Sequence, residues 1–122
     1  MRFQDLLAYQ KSFMVAMKIF RVTKSFPKEE IYSLTDQIRR SSRSVSANLA
    51  EAYRKRDYPK HFHSKLTDSD AENSETQVWL AYSLECEYIT NEIYFDLLKD
   101  SEEVGKLINY MILNPKKFGV KE

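Results

Sequence analysis

The chain is predicted to be all-α: an antiparallel up-down-up-down four-helix bundle with residues 1–122 forming one domain. Three observations predict it. Only 2 Gly and 3 Pro occur among 122 residues, too few for the many turns of a sandwich or barrel. Apolar residues recur at spacings of three, four and seven rather than alternating. Three short breaks leave four segments of roughly 20 to 30 residues, and short connections make neighbouring helices antiparallel. This length, with 43% hydrophobic residues, is enough to bury one core without metal or disulfide.

The first helix is expected over about 3–24, with Leu6, Phe13, Met17 and Phe20 as its apolar stripe. "SFPKEE" at 25–30 is the first break. Pro27 suits a first helical turn, and Glu29 and Glu30 complement a positive helix N-terminus. The second helix is expected over about 28–56, carrying Ile31, Leu34, Ile38, Val45, Leu49 and Ala52 inward. "RDYPKH" at 56–61 places another Pro near a helix start. The third helix is expected over about 60–89, with Phe62, Leu66, Leu80 and Leu84. Thr90 or Asn91 is the expected cap of the fourth, about 92–113, with Ile93, Leu97, Val104, Ile108 and Met111. A short tail, 114–122, follows, because the residue before Pro115 is pushed away from helical geometry.

The net charge of +1 suggests no partner, but its distribution is uneven. Residues 39–65 hold eight bases and two acids; residues 66–103 hold eleven acids and one base. Such polarity can steer a charged partner. The single Cys86 cannot form an internal disulfide, which fits a reducing, cytoplasmic setting. The N-terminus lacks a signal-peptide pattern, and no stretch approaches 18 uncharged apolar residues, so no membrane partner is expected.

The second helix shows three faces when stepped at 100° per residue. Opposite the apolar stripe lie Asp36, Arg40, Arg43, Ala47, Glu51 and Arg54, so the arginines should point away from the bundle. A flank at seven-residue spacing carries Tyr32, Arg39, Ser46 and Tyr53. Ser41, Ser42 and Ser46 sit beside the core stripe, where small residues allow a close helix approach. The third helix is apolar on two sides. Phe62, Leu66, Asn73, Leu80 and Leu84 share one; Ala71, Val78, Trp79, Tyr82, Cys86 and Ile89 share the other. A helix apolar on two sides needs two sets of neighbours, which predicts a homo-oligomer. A polar contact between the second and third helices, involving Asn48, Glu51 and either Asn73 or Glu75, is expected to fix register; alternatively, Glu51 and Glu75 reach solvent.

Catalytic and cofactor chemistry finds no support. His61 and His63 are two apart and face different ways on a helix. "DSDAENSE" at 68–75 lacks the Gly and the twelfth-position Glu of a calcium loop. No phosphate loop or dinucleotide fingerprint occurs, and a Ser or Cys nucleophile lacks a base. The expectation is a non-enzyme without metal or cofactor. The best functional feature is the basic end: Arg54, Lys55, Arg56 and Lys60, joined in this topology by Arg2, Lys116, Lys117 and Lys121. Arg40 and Arg43 are further candidates for nucleic-acid contact. Nearby Tyr53, Tyr58 and Phe62 add aromatic surface for base stacking. The same cluster also fits a solvated hairpin tip.

"FPKEEIYSLTDQIRRSSRSVSANLAEAY" resembles the signature of the four-helix-bundle family of 23S rRNA intervening-sequence proteins, which also includes the accessory variability determinants of diversity-generating retroelements. The matching positions are Phe26, Pro27, Glu30, Tyr32, Leu34, Gln37, Ile38, Arg39, Arg40, Ser41, Asn48, Leu49, Ala50 and Glu51. "FHSKLTDSDAENSETQVWLAYSL" resembles the family's third helix. Ala52 stands where the family pattern has Gly. The resemblance implies a homopentameric ring and, for retroelement members, nucleic-acid binding beside a reverse transcriptase. It makes Gln37, Arg39, Asn48 and Glu51 candidate structural or intersubunit residues, to which the helical faces add Tyr32, Tyr53, Glu75, Trp79 and Tyr82. The functional expectation is electrostatic RNA or DNA binding by an oligomeric bundle; the alternative is an oligomeric protein-interaction scaffold with no nucleic-acid role.

Overall fold

The structure, a computed structural model, describes residues 1–121. It contains four helices: α1 (Leu7–Thr23), α2 (Leu34–Arg54), α3 (Pro59–Glu85) and α4 (Asn91–Leu113). Short 3-10 turns occupy Phe3–Asp5, Lys28–Glu30 and Pro115–Phe118. α2 packs against α1 and α3, and α4 closes the circuit between them. α1 and α3 are therefore diagonal, in the expected up-down-up-down order, and no strand occurs among the described residues.

Two predicted helix starts are corrected. The first helix does not begin at Phe3: Leu6 is extended (φ −67°, ψ 128°) and separates a 3-10 turn from α1. The second does not begin at Lys28, because Ser33 (φ −128°, ψ −103°) interrupts the backbone before Leu34. Glu30 organises this break. Its carboxylate accepts from the Ser33 hydroxyl and, at 3.4 Å, from the Leu34 backbone N–H at the start of α2. Tyr88 donates to its other oxygen at 2.8 Å. The Ser33 and Tyr88 hydrogen bonds hold the Glu30 carboxyl below its usual range, and Glu30 in turn pushes the Tyr88 phenol up to about 12.

α3 ends earlier than expected, at Glu85. Glu87 adopts φ 63°, the Glu87 N–H reaches Leu84 O and the Tyr88 N–H reaches Ser83 O, both at 2.9 Å. This closes the helix by a left-handed C-terminal motif that glycine usually serves. Thr90 caps α4, accepting from Ile93 N at 3.2 Å.

The core runs the length of the bundle, through Leu6, Val15, Ile19, Ile38, Leu49, Phe62, Leu66, Leu80, Leu97, Val104 and Ile108. Most expected stripes of α2, α3 and α4 face it, except that Ile31 and Ile93 are exposed. α1 is turned relative to expectation. Ala8, Ser12, Val15, Ala16, Ile19 and Thr23 face inward, Phe13 is exposed, and Met17 and Phe20 are half-buried. Small side chains there allow close helix approach, so the larger ones are displaced to the flank. The serines of α2 behave as expected. Ser41, Ser42 and Ser46 are buried, and α2–α3 is the most extensive helix pair. Across that pair, Ser69 donates to Val45 O at 2.8 Å and Thr76 to Ser41 Oγ at 2.9 Å.

Candidate nucleic-acid interface

One end of the bundle gathers three chain segments: the N-terminus, the α2–α3 turn and the residues after α4. Tyr53, buried at 4% exposure, donates from its hydroxyl to Met1 O at 3.1 Å. The Arg56 guanidinium lies 3.7 Å above the Tyr53 ring centroid, and its Nε donates to Tyr53 O at 2.8 Å. Gly119, at φ 86°, passes so close that a Cβ there would sit 3.1 Å from Arg56 Nη1. Arg56 thus fastens the C-terminal turn to α2 rather than standing clear as a phosphate-facing base.

Arg54 and Lys60 are exposed and Lys55 is half-buried; none of the three is ion-paired among the described residues. A shallow depression of about 330 Å³ lies between Ala50, Glu51, Arg54, Lys55 and Lys65. Its acid is engaged: Lys65 Nζ pairs with Glu51 at 2.9 Å, a contact that raises the lysine's pKa. Lys117 donates to the Tyr110 hydroxyl at 2.8 Å. Of the three expected stacking aromatics, Tyr53 and Phe62 are buried; Tyr58 is exposed, with its ring edge against His61.

Arg40 and Arg43 are exposed, as their helical phase requires, but the Arg43 guanidinium leans over the Phe20 ring of α1, 5.7 Å from its centroid, rather than standing clear of the bundle. They lie about 21 and 16 Å along α2 from Arg54 at 1.5 Å per residue, so they do not join the basic end. The six candidate bases are therefore not one patch. Arg40 faces α3, where its charge draws down the carboxyl of Glu72; burial and the neighbouring Glu75 nevertheless push that carboxyl up overall.

The remaining candidates divide between surface and bundle interior. Tyr32 is 93% exposed. On the same flank Arg39 turns inward: its Nε donates to Thr23 Oγ1 at 2.8 Å and its guanidinium covers Phe20. Gln37 is half-buried. Asn48 donates only along its own helix, to Ser44 O, and Glu75 accepts from Trp79 Nε1 at 3.2 Å. Neither makes the expected register contact between α2 and α3. Asn73 pins α3 to α4 instead. Its Nδ2 donates to Ser101 O and its Oδ1 accepts from Ser101 Oγ, both at 2.9 Å; Gln77 Nε2 donates to the same hydroxyl at 3.0 Å. The second apolar side of α3 is uncovered at Val78 (49% exposed) and Tyr82 (56%), with Trp79 half-buried, but Ile89, expected on it, lies beyond the end of α3 and is buried in the bundle core.

Sequence reasoning missed a charge cluster between α1 and α4. Buried Asp100 receives Lys18 Nζ at 2.7 Å and Lys11 Nζ at 3.2 Å, and the lysines also reach Asp96 and Glu103. Burial alone would push the Asp100 carboxyl up; the two lysines outweigh it and hold it below its usual value. The seven-residue spacing of Lys11 and Lys18 against acids at 96, 100 and 103 was the available signal. Among the described residues, no three metal-ligating side chains converge, and no helix is long and apolar enough to cross a membrane.

The family model for 23S rRNA-intervening sequence proteins matches residues 4–110. The chain belongs to this family. A solved structure agrees: a protein of unknown function from the S23 ribosomal protein family of Bacteroides thetaiotaomicron VPI-5482. It is 33% identical, covers 89% of this chain and 97% of its own, and superposes with a TM-score of 0.80. No functionally curated protein matches. The 23S rRNA-intervening sequence family match spans the signature run that forms the 3-10 turn at Lys28–Glu30 and α2. Within it, Glu30 caps α2 and Arg39 ties α2 to α1.

Proposed function

We propose that the chain is a non-enzymatic, self-assembling bundle that binds RNA or DNA electrostatically through its basic end. The supporting observation is the convergence of Arg2, Arg54, Lys55, Lys60, Lys117 and Lys121 from three separate segments onto that end. Self-assembly is supported by two uncovered apolar stripes on diagonal helices: Val78 and Tyr82 on α3, Phe13 and Met14 on α1. Faces on opposite sides of a subunit suit head-to-tail contacts that close into a ring; five subunits is the number the family resemblance implies. A ring repeats the basic end and adds avidity.

The test is fluorescence anisotropy with a single-stranded RNA probe. Contact with about four phosphates gives a log–log salt slope near −3, so a fourfold rise in salt weakens binding about 50-fold. Reversing Arg54, Lys55 and Lys60 to Glu should weaken binding at least about tenfold while light scattering shows the same oligomer. Binding that survives the triple reversal at moderate salt refutes the basic-end assignment, and a monomer refutes the assembly. An oligomer that ignores RNA favours a protein scaffold, for which exposed Phe95 among Glu92 and Asp96 offers a docking face.

A further inference from the structure

At the opposite end of the bundle, a half-open cavity of about 340 Å³ lies between the end of α1 and the start of α2. Its walls include Phe20, Lys24, Lys28, Ile31, Thr35 and Arg39. The volume lies within the range of small-molecule sites. Three of its nine lining residues are bases, and none of the three forms an ion pair with a carboxylate among the described residues. Two of them are drawn together: Lys24 Nζ lies 4.8 Å and the Arg39 guanidinium 4.9 Å from the Phe20 ring centroid. The same ring also attracts Arg43, at 5.7 Å, which does not line the cavity.

A second observation is independent of charge. Thr35 is 4% exposed, and its hydroxyl has no hydrogen-bond partner. A buried hydroxyl left unpaired is costly, and such exceptions point to a missing partner. Thr35 also lies in the first turn of α2, where the helix dipole favours negative charge. The nearest acids do not neutralise the cavity: Glu30 is engaged by Ser33 and Tyr88, and neither Glu29 nor Asp36 lines it.

We infer that this cavity binds a small phosphomonoester with a planar or apolar body, of mononucleotide size. Lys24, Lys28 and Arg39 match the terminal oxygens of a phosphate dianion, which ammonium and guanidinium groups bind strongly. Rotation of the Thr35 hydroxyl toward the cavity that the residue lines supplies a further donor. Ile31, Pro27 and Phe26 provide the apolar wall that the body of the ligand covers. The site is separate from the basic end and does not depend on RNA binding there.

The experiment is isothermal titration of the full chain with AMP, adenosine and inorganic phosphate as probes. AMP should bind about tenfold or more tightly than phosphate, and adenosine should bind least. The Lys24→Gln/Lys28→Gln variant should weaken AMP about tenfold or more, whereas Lys106→Gln, on the exposed face of α4, should not. Thr35→Val should weaken AMP severalfold without lowering the thermal midpoint, since it removes an unpaired hydroxyl at nearly constant volume. No AMP binding, phosphate binding as tight as AMP, or unchanged AMP affinity in either pocket variant overturns the assignment.

Discussion

Asn73→Ala tests the polar pin that fixes α3 against α4. The side chain is 4% exposed and exchanges two hydrogen bonds with Ser101, which is fully buried. Each bond contributes about 1 kcal/mol net, and a buried group left unpaired costs about 1–3 kcal/mol more. Ser101 Oγ keeps its bond from Gln77 Nε2, so only the proton it gave to Asn73 is stranded, at the low end of that range. The sum is a loss of about 3 kcal/mol. Urea unfolding measures it as a lower midpoint at unchanged slope. Ser101→Ala removes the hydroxyl bond to Asn73 Oδ1 from the other side and leaves the bond to the Ser101 carbonyl, so the double variant should lose less than the two singles added, by at least about 1 kcal/mol. A single-variant loss under about 1 kcal/mol, or strict additivity, would refute the reasoning that this pair sets the α3–α4 register.

Two further outcomes follow from local geometry. Asp100 is held below its usual pKa because its lysines outweigh the burial that pushes it up. A depressed folded value contributes stability that is present above the unfolded value, about 3.9, and is lost as pH falls through the folded one. Asp100→Asn should therefore cost about 1–2 kcal/mol near neutrality, modest because the lysines are partly exposed and keep Asp96 and Glu103. The difference should shrink as pH falls below the unfolded value and through the folded one, as urea midpoints across pH will show; a difference that stays constant from neutrality to the acid end contradicts the assignment. Glu87→Gly should stabilise by about 0.5–1 kcal/mol, since a left-handed residue with a Cβ is strained where glycine is not; a thermal midpoint that falls would show that the Glu87 side chain contributes more than its backbone costs.

The fold was legible because few breakers interrupt long helical periods. The α4 range of Asn91–Leu113 lies within one residue of expectation, and Pro59 and Thr90 mark their helix starts. The family signature was legible as well, since it is a contiguous run along one helix. The inward face of α1 was not. Its two stripes, Phe13–Met17–Phe20 and Val15–Ala16–Ile19, have similar periods, and periodicity cannot say which one faces in. The choice fell to the smaller set, because Ala8, Ser12 and Ala16 let the backbones approach where large rings would not fit. The basic end was half legible. Helical phase placed Arg54 and Lys60 in solvent, but Arg56 is captured by Tyr53 and Gly119, a residue 63 positions away in the chain.

Sequence by itself therefore determined the helices, their order, the family and the exposure of Arg40 and Arg54, since each depends on neighbours within a few turns. Only the tertiary structure decided that Asn73 answers to Ser101, that Asp100 collects two lysines, and that Phe20 gathers three cations beside an unpaired Thr35. Those groups meet across helices, and the close packing that joins the helices sets which partners they reach.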